Sequence, residues 1–374
     1  MALEFLWFIP QNGDGRKLGT QSPERLATFD YQKQLALAIE GAGFDGALMP
    51  FGFGSSASGD LWVKPTALYD NWTMAAALAA VTTKLKLLVA TRPGVINAAI
   101  TAKMVATLDQ ISGGRVNLNV ISGGSTAEQL SYGDAADHDG RYRRTREYLQ
   151  AIKRLWNGES VTVDGEFVQL SGATLTPLPV NAGGPRIFFG GSSELAHDIA
   201  GELADVYLSW GELPQMVGEK VADVRRRAEG QGRKVGAGVR IHVVVRDTEE
   251  EAWNAARALI ADADPSLMEK RKSTLSGLES VGQQRLLGLA TNDEDIVAPH
   301  FWAGLRRIRG GASTAIVGTP EQVSDVLADY VRHGIDTFIL SSWPHLEEAW
   351  RVGEQVIPLV RKKAAGMVTE SAAD

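Results

Sequence analysis

The chain contains no cysteine. That absence excludes disulfides, a thiolate nucleophile, thiolate zinc sites and iron–sulfur clusters, so any redox chemistry has to come from a bound cofactor. Long apolar runs are missing too, and none approaches the roughly 18 residues that a helical membrane span requires. The first residues, MALEFLWFIPQNGDG, carry neither a basic leader nor a small-residue cleavage site, and the expected location is cytoplasmic. There is no basic excess: 45 acidic side chains outnumber 38 basic ones, and neither sign forms a long run. Nucleic acid and membrane surfaces are therefore not expected partners. The six histidines show no HExxH or comparable spacing, so no metal site is expected.

What is present is the composition of a globular protein, 374 residues with 44% hydrophobic and 22% charged side chains. Short apolar runs at residues 3–9, 45–49, 84–90, 115–122, 186–189, 206–210, 238–246 and 337–341 read as buried strands. Helical periodicity fills most of the intervals, at 29–43, 69–81, 97–111, 141–156, 213–230 and 345–360, with a further helix after GGSS. The segment GESVTVDGEFVQL alternates like a hairpin added to the main architecture. Strands and helices in alternation predict βαβ units and a parallel sheet. Eight such strands fit an α/β fold of the (β/α)8 TIM-barrel type, whereas a doubly wound sheet would carry GxGxxG after its first strand, which is absent here. The stretch 263–311 fits no barrel element, and Arg309 in it is followed by two glycines able to act as hinges. We read it as a mobile lid inserted into a single domain spanning 1–374, with a flexible tail at about 363–374.

Barrel enzymes carry their sites at the C-terminal strand ends. Those ends hold Gln11 and Asn12, Pro50 to Ser56, Thr91 and Arg92, Ser122 and Gly123, Gly190 to Ser193, Trp210, Arg240 with His242, and Trp343 to His345. No close carboxylate pair is among them, which argues against hydrolysis by two acids. Arg240 and His242 are two apart in a strand and share a face. Such a pair more often belongs to a structural ion pair or a satisfied core network than to a site. GGSS, Gly190 to Ser193, places amides and hydroxyls at a helix start, a pattern suited to an anion but by itself more often an ordinary glycine turn with an N-cap. HDGRYRR, His138 to Arg144, adds a histidine, a tyrosine and arginines at another helix start.

Several blocks carry a family likeness: WFIPQNGDGRKLGT, FFGGSS, YLSWGELP, VRIHVVVR, VGQQR, WAGLRRIRGGASTAIVG and PHLEEAWRVGE. From Trp7 to about Leu359 the chain resembles the flavin-dependent alkanesulfonate monooxygenases of the bacterial luciferase-like superfamily. The resemblance implies a two-component system, in which a separate NAD(P)H:FMN reductase supplies reduced FMN (FMNH2). With O2, an organosulfonate would be oxygenated and its C–S bond broken, giving sulfite and an aldehyde. Carried over by motif, the sulfonate pocket would be Trp210, Arg240, His242, Trp343 and His345, with Arg309 arriving on the lid and Arg240, His242 and Arg309 acting in catalysis. The FMN phosphate would lie against Gly191, Ser192, Ser193 and Tyr142 with His138 close by, and Asn119 and Gly123 would meet the ring. Members of the superfamily associate as homodimers or homotetramers, which is the expectation here.

Physical chemistry agrees with that assignment. A sulfonate offers three acceptor oxygens, which a guanidinium fork and imidazole or indole N–H groups can satisfy. Two departures stand out. Trp343 occupies a position where the family carries tyrosine, and an indole donates but does not ionise. The loop after the second strand, FGFGSSASGDLWVKPTALYDNW, is longer than usual and has serine where cysteine is common, which points to a larger, hydroxylated sulfonate such as sulfoquinovose as well as to simple alkanesulfonates. A deazaflavin-dependent dehydrogenase of the same superfamily and a non-catalytic flavin-binding barrel are the alternatives.

Overall fold

Strand β1 (Glu4–Phe8) shows how the chain makes its layers: Phe5 and Trp7 face the surrounding helices, while Leu6 and Phe8 face inward. The same period of two runs through β2 (Gly46–Met49), β3 (Lys86–Thr91) and β4 (Val116–Val120), which are buried on both faces apart from Lys86, with Asn117 and Asn119 the polar residues of β4. The computed structural model describes residues 2–53, 61–64, 66–123, 126–269, 280–289 and 295–371. Ser55 and Ser56, parts of the expected lid and the last residues of the expected tail lie outside these.

A hairpin of β5 (Val161–Asp164) and β6 (Gln169–Ala173) stands apart as an antiparallel pair, as its alternation predicts. The barrel continues with β7 (Ile187–Gly190), β8 (Val206–Trp210) and β9 (Gly236–Val245). After β10 (Ile296–Ala298), β11 (Phe301–Trp302) and β12 (Ala315–Gly318), the last strand is β13 (Thr337–Ser341). Parallel pairing runs β9, β13, β1, β2, β3, β4, β7, β8, and β8 returns to β9, so the eight-stranded (β/α)8 barrel is closed. Leu6, Leu48, Leu88, Phe188, Val206 and Ile339 fill its interior. At the N-terminal mouth Glu4 is 2.7 Å from Lys86 and 2.9 Å from Arg186, and this ion cluster plugs that end.

Three features depart from the sequence reading. Strand β12 pairs parallel with His242 to Val245 of β9, beyond the residues that β8 covers, and adds a short sheet to the barrel rim. The helix that follows it, Pro320–Arg332, starts on a capping box of Thr319 and Gln322 with Pro320 in the first turn, a local signal that the reading passed over. The last helix is two, His345–Gln355 and Ile357–Ser371, because Pro358 supplies no N–H to a continuous ladder. The second of these runs through most of the stretch expected as a flexible tail.

Candidate active site

Arg240 lies on β9 in register with Trp210 of β8 and Ile339 of β13, so its side chain enters the barrel at the C-terminal end. It is 6% exposed. Nη1 donates to the Ile241 carbonyl at 3.0 Å, Nη2 donates to Ser341 Oγ at 2.8 Å, and the guanidinium stands 4.6 Å from the Phe8 ring centroid. Among the described residues no carboxylate forms an ion pair with it. Burial and the charge of Arg309 both push its pKa well below the usual value, the signature of a cation short of a counter-charge.

His242, two residues on, is fully buried. Nδ1 lies 2.7 Å from Ser341 Oγ, while Nε2 lies 2.9 Å from the Ala312 carbonyl and 3.0 Å from Arg309 Nη1. Its ring stacks on Trp343 at 4.6 Å, and Arg309 sits over the same indole at 5.7 Å. Burial, then Arg240, then Arg309 push the imidazole pKa well below its ordinary range, so the ring is neutral at working pH. His345 is held neutral by burial and the same two arginines. Its backbone N–H donates to the carboxylate of Asp14, which also accepts from the Tyr31 hydroxyl at 2.5 Å. Burial raises Asp14 to about 6 despite these hydrogen bonds. The indole N–H of Trp343 and Nδ1 of His345 are buried without a partner.

Across the barrel mouth, Gly190 to Ser193 lead from β7 into the helix Glu194–Leu203. Ser193 caps that helix by accepting from the Ala196 N–H at 3.3 Å, and the Tyr142 hydroxyl meets Ser193. Burial raises the Tyr142 pKa above its normal value, so the phenol keeps its proton. A Cβ on Gly191 would come within 2.5 Å of Ala196 Cβ and 3.1 Å of the Tyr142 oxygen, so only glycine leaves this cradle open. Behind it the Tyr207 hydroxyl donates to the Gly191 carbonyl at 2.7 Å and touches His197, which is paired with Asp223. At Gly123, φ is 98° and a Cβ would lie 2.4 Å from Gln129 Oε1, a second place where the wall requires glycine.

One cavity of about 460 Å3 joins the two regions. Its lining includes Asn119, Gly123, His138, Tyr142, Gly191, Ser192, Ser193, Trp210, Arg240 and Arg309, ten of the residues expected at the site. His242, Trp343 and His345 are not in the lining; they stand behind Arg309 and Arg240 as a buried second layer. The expected lid contributes Ser280 to Gln283 and Arg309 to Gly311 to one wall, and Gln283 Oε1 accepts from the Gly311 N–H at 2.8 Å.

The wall also carries residues that the sequence reading passed over. Glu212, 1% exposed, lies 2.6 Å from Lys220 and 2.7 Å from Arg285, tying the helix Val281–Gly288 to the barrel rim. Arg92 pairs with Glu128 at 3.0 Å and leaves Nε and Nη1 buried without partners, as is Gln283 Nε2. Lys220 sits eight residues after Glu212 and Arg285 much further on, and no local spacing announces their meeting.

The cavity fits a flavin on these observations. Hydroxyls, backbone amides and a helix N-terminus converge where a phosphate would lie, an amide-rich wall from Asn119 to Gly123 borders the space for a ring, and donors at Arg92 and Gln283 await acceptors. Among the described residues no group of histidines and carboxylates could hold a metal, and no helix is long and apolar enough to cross a membrane.

Solved structures share the whole architecture. Riboflavin lyase (RcaE) is 22% identical, with a TM-score of 0.81 over 97% of this chain and 92% of that one. EDTA monooxygenase (EmoA) from Chelativorans sp. BNC1 is 20% identical, with a TM-score of 0.78 over 97% of this chain and 94% of its own. An F420-dependent secondary alcohol dehydrogenase is also 20% identical, with a TM-score of 0.71 over 96% and 100% of the two chains. At these identities the likeness concerns the fold. Residues 3–337 match the family described as luciferase-like monooxygenase, and with most of its length inside that match the chain belongs to the luciferase-like monooxygenase family.

Proposed function

We propose that the protein is an FMNH2- and O2-dependent monooxygenase that cleaves the C–S bond of an organosulfonate to give sulfite and an aldehyde. The observation that carries this reading is Arg240, a guanidinium buried in the cavity wall with no carboxylate paired to it among the described residues and a second guanidinium, Arg309, close by. A buried cation with a second, half-buried one on the same wall is stabilised when an anion binds between them. A sulfonate supplies that charge and enough acceptors for Arg240, Arg309 and the Trp210 indole N–H.

The opposite end of the cavity holds the cofactor in this reading. Ser192, Ser193, Tyr142 and the amides after Gly191 take the phosphate of FMN, with His138 at its edge, and Asn119 and Gly123 border the ring. Reduced FMN, delivered by a separate NAD(P)H:FMN reductase, supplies the two electrons with which one oxygen atom of O2 ends in the aldehyde and the other in water. Arg240 and Arg309 orient the sulfonate so that its carbon points along the cavity toward the ring, and they stabilise the sulfite that leaves. His242 and His345, neutral and behind this wall, do not meet the substrate in the described state; His242 holds the loop after Gly311 through the Ala312 carbonyl. The described residues Ser280 to Gly288 and Arg309 to Gly311 serve as the cover that keeps water out, latched by the Arg285–Glu212 pair. The substrate class includes alkanesulfonates and larger hydroxylated sulfonates such as sulfoquinovose.

Purified protein given reduced FMN, oxygen and a panel containing octanesulfonate and sulfoquinovose is expected to release sulfite. No sulfite from any of them would sink the proposal. Anaerobic turnover with a deazaflavin would favour the dehydrogenase alternative instead.

A further inference from the structure

Ser341 ends β13 in register with His242, and its hydroxyl lies between two groups of very different hydrogen-bonding capacity. Arg240 Nη2, at 2.8 Å, can only donate; His242 Nδ1, at 2.7 Å, donates or accepts according to its tautomer. Ser341 Oγ therefore accepts from Arg240, and among the described residues the one acceptor within reach of its own proton is His242 Nδ1. That nitrogen must then be bare. The ring proton of the neutral imidazole goes to Nε2, which donates to the Ala312 carbonyl at 2.9 Å.

The opposite tautomer satisfies fewer groups. It would face Ser341 Oγ with two donors, leave the serine proton unused, and bring the Nε2 lone pair within 2.9 Å of the Ala312 oxygen. A buried hydroxyl without an acceptor and two opposed acceptors are each costly. One consequence concerns Arg309. Its Nη1 is 3.0 Å from Nε2, close enough to donate if that nitrogen were bare. With a proton on Nε2 the contact joins two donors and is not a hydrogen bond.

We propose that Ser341 is a positioning residue: its hydroxyl, ordered by Arg240, fixes His242 in the Nε2–H tautomer, and so prevents the imidazole from capturing Arg309. The arginine on the 309–312 loop is thereby directed to an anion in the cavity rather than to the wall behind it. The use made of Arg309 rests on the sulfonate reading; the tautomer itself does not.

The test uses full-length protein labelled with 15N-histidine, without substrate, and the His242 resonances assigned by their loss in His242→Gln. The expected wild-type spectrum has a protonated Nε2 and a bare Nδ1; a proton on Nδ1 overturns the proposal without any variant. In Ser341→Ala the Nδ1–H form is expected to appear, with Ser341→Thr, which keeps the hydroxyl, retaining the wild-type pattern. An unchanged spectrum in Ser341→Ala also overturns it. In the sulfite assay Ser341→Ala is expected to raise KM for the sulfonate about tenfold, with kcat changed less and threonine restoring KM. If the wild type releases no sulfite while the tautomer pattern is as stated, the sulfonate reading fails and the positioning role stands.

Discussion

The guanidinium of Arg240 lies 4.6 Å above the ring of Phe8, its two neighbours in hydrogen bonding being a carbonyl and a hydroxyl rather than a carboxylate. A cation is thus held by an aromatic face and two neutral acceptors, and its full charge is presented to the cavity.

This arrangement separates function from stability. Arg240→Met removes the charge but keeps a side chain that can cover Phe8. Sulfite release at low substrate is expected to fall by about a hundredfold or more, the size of losing charged hydrogen bonds in a dry site. Stability in urea is expected to be unchanged or higher, because an uncompensated buried charge has gone. A variant that loses stability instead would show that Arg240 is a structural cation.

The serine cradle makes a prediction about binding alone. Ser192→Ala is expected to weaken FMN about tenfold while leaving riboflavin, which has no phosphate, unaffected. Fluorescence titration with both flavins measures the difference. Equal losses for both would place Ser192 away from the phosphate.

Glu212 is the interior anion on which two cations converge, at 2.6 Å for Lys220 and 2.7 Å for Arg285. Glu212→Gln leaves Lys220, 7% exposed at its side chain, without a counter-charge. A loss of about 3 kcal/mol at neutral pH is expected from urea unfolding. Burial already lowers the Lys220 pKa, so the deficit should shrink as the pH rises and the amine loses its proton.

Asp14 gives a pH dependence of definite sign. Burial holds its folded pKa at about 6 against 3.8 for an ordinary aspartate. Between those values the folded state binds the proton and the unfolded chain does not, so this group's contribution to stability is full below 3.8 and is lost as the pH rises through 6. The loss is on the order of 3 kcal/mol. Asp14→Asn has no proton to lose, and its stability relative to the wild type is expected to improve from pH 4 to pH 7 in paired urea titrations. A constant difference across that range would refute the assignment.

The eight strands were legible because each is a short, mostly apolar run, a pattern that parallel barrel strands impose through burial on both sides. Strand β12, Ala315 to Gly318, is not announced by its own sequence, because partners elsewhere in the chain, β11 on one side and β9 on the other, hold it in place. The cradle was legible for a different reason: Gly191, Ser192 and Ser193 are consecutive, so local sequence contains the whole device. Arg240 could be singled out, but not that among the described residues no carboxylate pairs with it, since that depends on what every other strand places nearby.

By itself, then, the sequence determined the barrel, the absence of thiol chemistry and the glycine–serine turn, all of which follow from local composition and from the period of two in β-strands. Tertiary structure decided the rest. Only the folded chain puts Trp210, Arg240 and Arg309 on the cavity wall while drawing His242, Trp343 and His345 behind it. Only there does the Ser341 hydroxyl meet both Arg240 and His242, since a hydrogen bond depends on direction as well as distance, and residues a hundred positions apart acquire both when β9 and β13 align.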